Sequence, residues 1–233
     1  MDDAIARKLV EINTIFYENF AEPFSESRSA PQPGYKRLLE FLPQQPIAML
    51  DVGCGNGRFG HFLRAEGLIA TYTGIDFSRS LLSKASDTFT DLIVRDLSLP
   101  GCLDSLGYFD VIVSLSTFQH IPGEVNRARL LSEMAAHLRA DGQIIIANWQ
   151  FLESPRQRRK IRPWSEAGIE TIHLDTDDYL ISWTRGGHGL RYVAYIDEHH
   201  TRRLAQVAGL RVVHQFRSDG REGNLNLYTI LAC

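Results

Sequence analysis

Three features of the sequence predict an α/β fold built on a doubly wound parallel sheet. From Ile47 onward, short apolar runs alternate with segments of helical period. The runs are apolar at successive positions, as strands covered on both faces must be. A glycine-rich loop, DVGCGNG, falls where the first run ends and a helical segment begins, which is the ligand-binding corner of such folds.

Each element follows from its pattern. Ile5, Leu9, Ile12, Phe16 and Phe20 recur at steps of three and four, predicting an amphipathic helix over 3–20, with Asp2 and Asp3 near its positive end and Pro23 as its stop. A second helix over 35–42 ends before PQQP. The core then reads IAMLDVG and GRFGHFLRAEG; TYTGID and SRSLLSKASDTF; LIVRD; FDVIVSL and EVNRARLLSEMAAHLRADG; and QIIIANW. After Trp149 the alternation lapses. DDYLISWTRGGHGLRYVAYID predicts a hairpin around RGGHG, inserted over one edge of the sheet. Asp197 caps a helix in EHHTRRLAQVAG, and LRVVHQF and NLYTILA are close enough to pair antiparallel. One domain is expected, with a helical N-terminal segment at 1–45, a core at 46–149, an insertion at 150–196 and a closing helix and strand pair at 197–233.

Composition excludes several classes. The hydrophobic content of 44% suits a globular core. No apolar run approaches the roughly 20 residues that span a bilayer, and MDDAIARKLVEIN lacks the character of a signal peptide, so a cytoplasmic protein is expected. Cys54, Cys102 and Cys233 are odd in number and widely spaced; they predict buried free thiols and neither a disulfide framework nor a metal site. The net charge of −3 conceals an asymmetry, because residues 1–150 carry 13 basic and 18 acidic side chains and residues 151–233 carry 12 and 10. The densest basic run, PRQRRKIRP at 155–163, is either a phosphate contact or a solvated face.

The glycine loop narrows the ligand. Gly53, Gly55 and Gly57 permit a sharp turn and close approach, but a dinucleotide fingerprint from Gly53 would need its third glycine at Arg58. The pattern G-x-G-x-G led by Asp51, with Cys54 inside it, resembles the nucleotide loop of class I S-adenosylmethionine-dependent methyltransferases. That resemblance extends over 47–149 and again over 197–232, and implies a seven-stranded sheet with its last strand antiparallel. It implies that Asp76, followed by Phe77 and Ser78, accepts the ribose hydroxyls, that Asp96 and the Leu97 amide face the adenine, and that Ser114 and Leu115 at the end of the fourth strand line the methyl-donor cleft. Each acid read alone is equally an ordinary cap or strand end.

A second resemblance concerns the methyl acceptor. YENFAEPFSESR, with Tyr17, Phe20, Phe24, Ser25, Ser27 and Arg28 in order, resembles the N-terminus of the tRNA methyltransferases that esterify 5-carboxymethyluridine at the wobble position. Asp178, Trp183, Arg191 and Tyr192 match that family's D-x-L-V-P-W and R-Y-Y-H segments, whereas Ser182, Val193 and Ala194 depart from them, as does FQHIP where the family usually has paired histidines. The resemblance implies tRNA as partner, and in the eukaryotic enzymes a small zinc-containing activator subunit. A small-molecule acid acceptor is the alternative, and a non-catalytic binding module is the third class. The N-terminal helix is then a lid on the donor site, with Tyr17 and Phe20 covering the cofactor. Arg28 and Arg191 are candidates to hold a carboxylate, Arg28 otherwise pairing with Glu22 or Glu26. His120 and Tyr192 are candidates to touch the acceptor, and Trp183 and Trp164 to stack on a base.

Overall fold

The computed structural model describes residues 1–27 and 30–233. Helix α1 (Asp3–Glu26) precedes a short α2 (Pro33–Leu38). The core then runs β1 (Ile47–Val52), α3 (Arg58–Ala65), β2 (Ile69–Asp76), α4 (Arg79–Ala85), β3 (Leu92–Val94), β4 (Phe109–Leu115), α5 (Glu124–Ala136) and β5 (Leu138–Trp149). The insertion holds α6 (Pro155–Arg158), β6 (Ile161–Arg162), β7 (Asp178–Trp183) and β8 (Gly189–Ala194). Helix α7 (Glu198–Val207), β9 (Arg211–Ser218) and β10 (Asn226–Ala232) close the chain.

The main sheet has the order β3-β2-β1-β4-β5-β10-β9. Pairing is parallel from β3 to β5, and β10 runs antiparallel to both neighbours. This is the doubly wound sheet expected, with its reversed final strand. Its two-sided burial explains the continuous apolar runs. Leu50, Ile112, Ile144 and Ile146 face one layer with α5 and α7, while Met49, Val111, Val113 and Ile145 face another with α2, α3 and α4. The strand order reverses between β1 and β4, so the crevice at their carboxyl ends opens at the glycine loop.

Four expectations change. Pro23 does not end α1. The helix breaks at Phe20 (φ −122°, ψ 18°), where the ring packs against Gly189, a position at which a Cβ would collide with it. The chain then re-enters the helix with Pro23 in its first turn, where the missing N–H has no bond to lose. The second helix is shorter than 35–42 because residues beyond Leu38 turn instead. Strand β5 starts at Leu138, with Asp141 in left-handed geometry (φ 64°), where a helix end and turn were expected.

The insertion, finally, does not cover a sheet edge. Its three strands pair in the order β6-β7-β8, and β8 packs on α1 and on the turn after β4. The reason is hydrogen bonding at Tyr192, whose N–H donates to Asn13 Oδ1 (2.9 Å) and whose carbonyl lies 3.0 Å from His120 Nδ1. Of the three thiols, Cys54 and Cys102 are buried, but Cys233 is exposed at the chain end. Trp164 belongs to the core and is not available to stack on a base. Among the described residues no helix is long and apolar enough to cross a membrane.

One buried carboxylate ties the N-terminal segment to the last strands. Asp219 accepts from the Gly34 N–H (2.7 Å), Asn226 Nδ2 (2.7 Å) and the Tyr228 hydroxyl (2.6 Å), and it sits in left-handed geometry (φ 69°) that Asp tolerates better than most residues. Asp219→Ala strands three buried donors and should cost at least about 2 kcal/mol, measured by urea denaturation; an unchanged midpoint contradicts this tie.

Candidate active site

Strand β1 delivers Asp51 to the bottom of the crevice, and the loop that follows turns through Gly53, Gly55 and Gly57, all with positive φ. At Gly53 (φ 79°) a Cβ would collide with Thr117, so both the turn and the close packing against the β4 end require glycine. The Gly53 and Cys54 N–H groups donate to the Ile75 carbonyl (2.7 and 3.0 Å), which locks the loop to the end of β2. Asp76 completes it, with Oδ2 accepting from the Gly55 N–H and Oδ1 from the Ser78 N–H, both at 2.9 Å.

Above this loop lies a cavity of about 620 Å³. Asp51, Gly53, Cys54 and Gly55 form one wall, with Asp76 and Phe77 beside them. Asp96, Leu97 and Leu115 extend it along the ends of β3 and β4; Asp96 Oδ1 accepts from the Ser98 N–H (2.8 Å) and hydroxyl (2.6 Å). Asn13, Tyr17 and Phe24 of α1 roof it, and His120, Trp149, Gln157 and Arg191 close the far side.

Five residues expected in the site do not line this cavity. Gly57 is the turn at the start of α3, where a Cβ would crowd Ala85. Ser78 is spent capping α4 through the Leu81 N–H, and the Ser114 hydroxyl donates to the Val52 carbonyl (2.9 Å), tying β4 to β1. Phe20 packs on Gly189. Tyr192 is fully buried, its hydroxyl donating to Asp178 (2.8 Å), so it faces the core and not the acceptor. Arg28 lies outside the described residues.

The roof is latched to the floor through His120. A carbonyl can only accept, so His120 Nδ1 carries a proton toward Tyr192 O at 3.0 Å, with Asn13 Nδ2 3.4 Å from the same nitrogen, and Nε2 pairs with the Tyr17 hydroxyl at 3.1 Å. Tyr17 also meets Phe16, Phe24 and Phe77 edge-on at 5.0–5.8 Å, which explains the rings of YENFAEPFSESR as one aromatic cluster over the loop.

Arg191 is 4% exposed. Its guanidinium carbon lies 4.8 Å from the Phe16 ring centre, 5.3 Å from Trp183 and 5.7 Å from Trp149. Its Nε has no hydrogen-bond partner, and no carboxylate pairs with it among the described residues. Ring faces recover only part of the cost of burying a cation. Sequence reasoning missed Asn13, Gln119, Thr117, Trp149, Arg156 and Gln157 as lining residues. Gln157 had no signal at all, being hidden inside the basic run.

The comparisons with known proteins fit this geometry. Residues 25–215 match the methyltransferase domain family, and the chain belongs to it. A putative methyltransferase of Encephalitozoon cuniculi is 27% identical over 179 residues, 76% of each chain. The mouse tRNA (carboxymethyluridine(34)-5-O)-methyltransferase ALKBH8 is 30% identical over 180 residues, 73% of this chain but 26% of that protein. The trans-aconitate 2-methyltransferase of Deinococcus radiodurans is 30% identical over 130 residues, 53% of this chain and 45% of it. In fold alone, the CcbJ methyltransferase of Streptomyces caelestis superposes with a TM-score of 0.67 at 15% identity, covering 94% of this chain and 98% of that one.

The chain is thus an enzyme of the S-adenosylmethionine-dependent methyltransferase class. The residues present fit that donor: a glycine turn with no room for a Cβ at Gly53, and acids at Asp51, Asp76 and Asp96 lining one wall for a cationic ligand with hydroxyl groups.

Burial pushes the Asp51 carboxyl up to about 7, the Tyr72 hydroxyl bond at 3.0 Å opposing it and the Asp76 charge adding to it. Asp76 rises to about 6, also mainly by burial. A carboxyl raised on folding holds its proton in the folded state after the unfolded chain has lost it, so stability falls as pH climbs from near 4 through the folded pKa. Asp51→Asn keeps an acceptor for Tyr72 and removes the buried charge. Between pH 5 and 8 it should flatten the stability profile by up to about 1.4 kcal/mol per pH unit, read from denaturation midpoints; parallel profiles for variant and parent contradict the assignment.

Proposed function

We propose that this enzyme esterifies a carboxylate, that of the 5-carboxymethyl group on a wobble uridine of tRNA. The observation that carries the reading is Arg191, a buried cation without a carboxylate partner among the described residues, lining the same cavity as the glycine loop. Acid acceptors recur among the relatives, one named for carboxymethyluridine in tRNA and one for trans-aconitate.

The division of labour follows from the lining. Asp76 holds ribose hydroxyls, Asp96 and the Leu97 amide meet the adenine, and Tyr17 and Phe77 close over the donor. When bound, S-adenosylmethionine supplies an electrophilic methyl on a sulfonium. A carboxylic acid with a pKa of about 4 is already ionised at neutral pH, so no residue need act as base. His120 is consistent with that, since its Nε2 is occupied by the Tyr17 hydroxyl. The demand is placement and exclusion of water, which the aromatic roof serves. Arg191 orients the acid through one side of its guanidinium.

The acceptor loses its charge as the ester forms, so Arg191 holds the ground state more firmly than the transition state. Arg191→Met should therefore raise the acceptor KM by roughly 10- to 100-fold, with kcat unchanged or slightly raised and donor affinity unchanged. A normal acceptor KM in that variant sinks the role.

A polyanionic acceptor is favoured by Arg156, which lines the cavity, and by Arg158 and Arg159 beside it, all exposed and none paired with a carboxylate among the described residues. A free acid metabolite is the second reading, supported by the trans-aconitate relative and the net charge of −3. Transfer of labelled methyl into tRNA lacking the wobble ester, followed by nucleoside analysis, decides between them. Label in the methyl ester of carboxymethyluridine, with tRNA binding that weakens steeply with salt and on Arg158→Glu with Arg159→Glu, is the expected result. Label in trans-aconitate alone defeats it.

A further inference from the structure

Among 155–163, the basic run, only Gln157 is buried, at 5% exposure, while Arg156, Arg158 and Arg159 around it are exposed. Its backbone is committed: the N–H donates to Ser154 O and the carbonyl accepts from the Lys160 N–H, both at 2.9 Å. Its side chain is not. Oε1 has no hydrogen-bond partner among the described residues, although the residue lines the cavity shared with Trp149 and Arg191. A buried amide oxygen left unpaired is a standing cost, and Gln157 and Arg191 are the residues with such an atom that also line the cavity among those described.

A primary amide carries an acceptor and a donor side by side, and its natural complement is a neighbouring N–H and C=O on one edge of an amide or imide. Trp149 lines the same cavity, its ring centre 5.7 Å from the Arg191 guanidinium carbon. We propose that Gln157 reads an amide or imide edge of the acceptor, so that the acid taken by this cavity is joined to a group presenting adjacent N–H and C=O, as a uracil ring does at its N3 edge. This rests on the carboxyl-methylating reading and divides recognition in two: Arg191 reads charge, and Gln157 separates such an acid from a plain polycarboxylic acid.

The test uses the full chain with three acceptors: a synthetic anticodon stem-loop bearing 5-carboxymethyluridine at the wobble position, the same stem-loop methylated at ring N3, and trans-aconitate. The parent should lose about tenfold or more in kcat/KM on N3 methylation, the usual weight of one buried hydrogen bond. Gln157→Met should lose a similar factor on the unmodified stem-loop and discriminate no longer, with donor affinity and melting temperature unchanged; Gln157→Leu provides a second variant if Met folds poorly. Persistent discrimination in both variants, or equal use of both stem-loops by the parent, overturns the role of Gln157 and leaves carboxyl transfer standing. If no acceptor is labelled, the reading of function falls and this inference falls with it. If trans-aconitate alone is labelled, the amide edge and the tRNA acceptor are both refuted while transfer to a carboxylate survives.

Discussion

The site depends on how one residue, Tyr192, uses its backbone. Its N–H goes to Asn13 on α1 and its carbonyl takes the His120 proton from the turn after β4. Those two bonds fasten the N-terminal helix, the insertion and the end of a core strand at one point. Along a strand, successive side chains face opposite ways. Tyr192 therefore turns into the core, where Asp178 and Arg127 meet its hydroxyl, and Arg191 turns toward the cavity. Asn13 and Tyr17, four residues apart on α1, present the same helix face, so α1 is held by the same bracket that positions Arg191.

The cavity is electrostatically divided. Acids at Asp51, Asp76 and Asp96 stand on the wall beneath the glycine loop, and Arg191 and Arg156 stand toward the insertion. On the proposed reading a cationic methyl donor and an anionic acceptor would each be matched by the wall they meet, and a reaction that cancels both charges would leave products matched by neither. The arrangement is costly to the empty fold. Asp51 and Asp76 are pushed toward neutrality by burial, and Arg191 and Gln157 keep unpaired polar atoms inside. At these four residues the cost lies on the cavity wall, where a ligand can offset it.

The sheet was legible because each core strand is apolar on both faces, and β1 shows why: Met49 and Leu50 serve different layers. The donor wall was legible because its residues are local to a strand end, where one motif places Asp51, Gly53 and Gly55 together. What failed depends on contacts remote in sequence. Pro23 reads as a stop until Phe20 is seen to break α1 first, against Gly189. The insertion's position rests on Asn13 meeting Tyr192, and nothing near either residue announces it. Period-two alternation also decides between neighbours: Leu115 lines the cavity where Ser114 bonds to β1, and Arg191 lines it where Tyr192 does not. Arg28, on which the N-terminal resemblance leaned, is outside the described residues, so the carboxylate reading now stands on Arg191.

The most direct measurement is a crystal structure of the full chain with S-adenosylhomocysteine and a wobble-position 5-carboxymethyluridine stem-loop. The uridine carboxylate is expected to be hydrogen-bonded to the Arg191 guanidinium, with the adenosine against Asp76 and Asp96. A carboxylate held elsewhere in the cavity, with Arg191 still boxed by Phe16, Trp149 and Trp183 and touching no ligand, would contradict it.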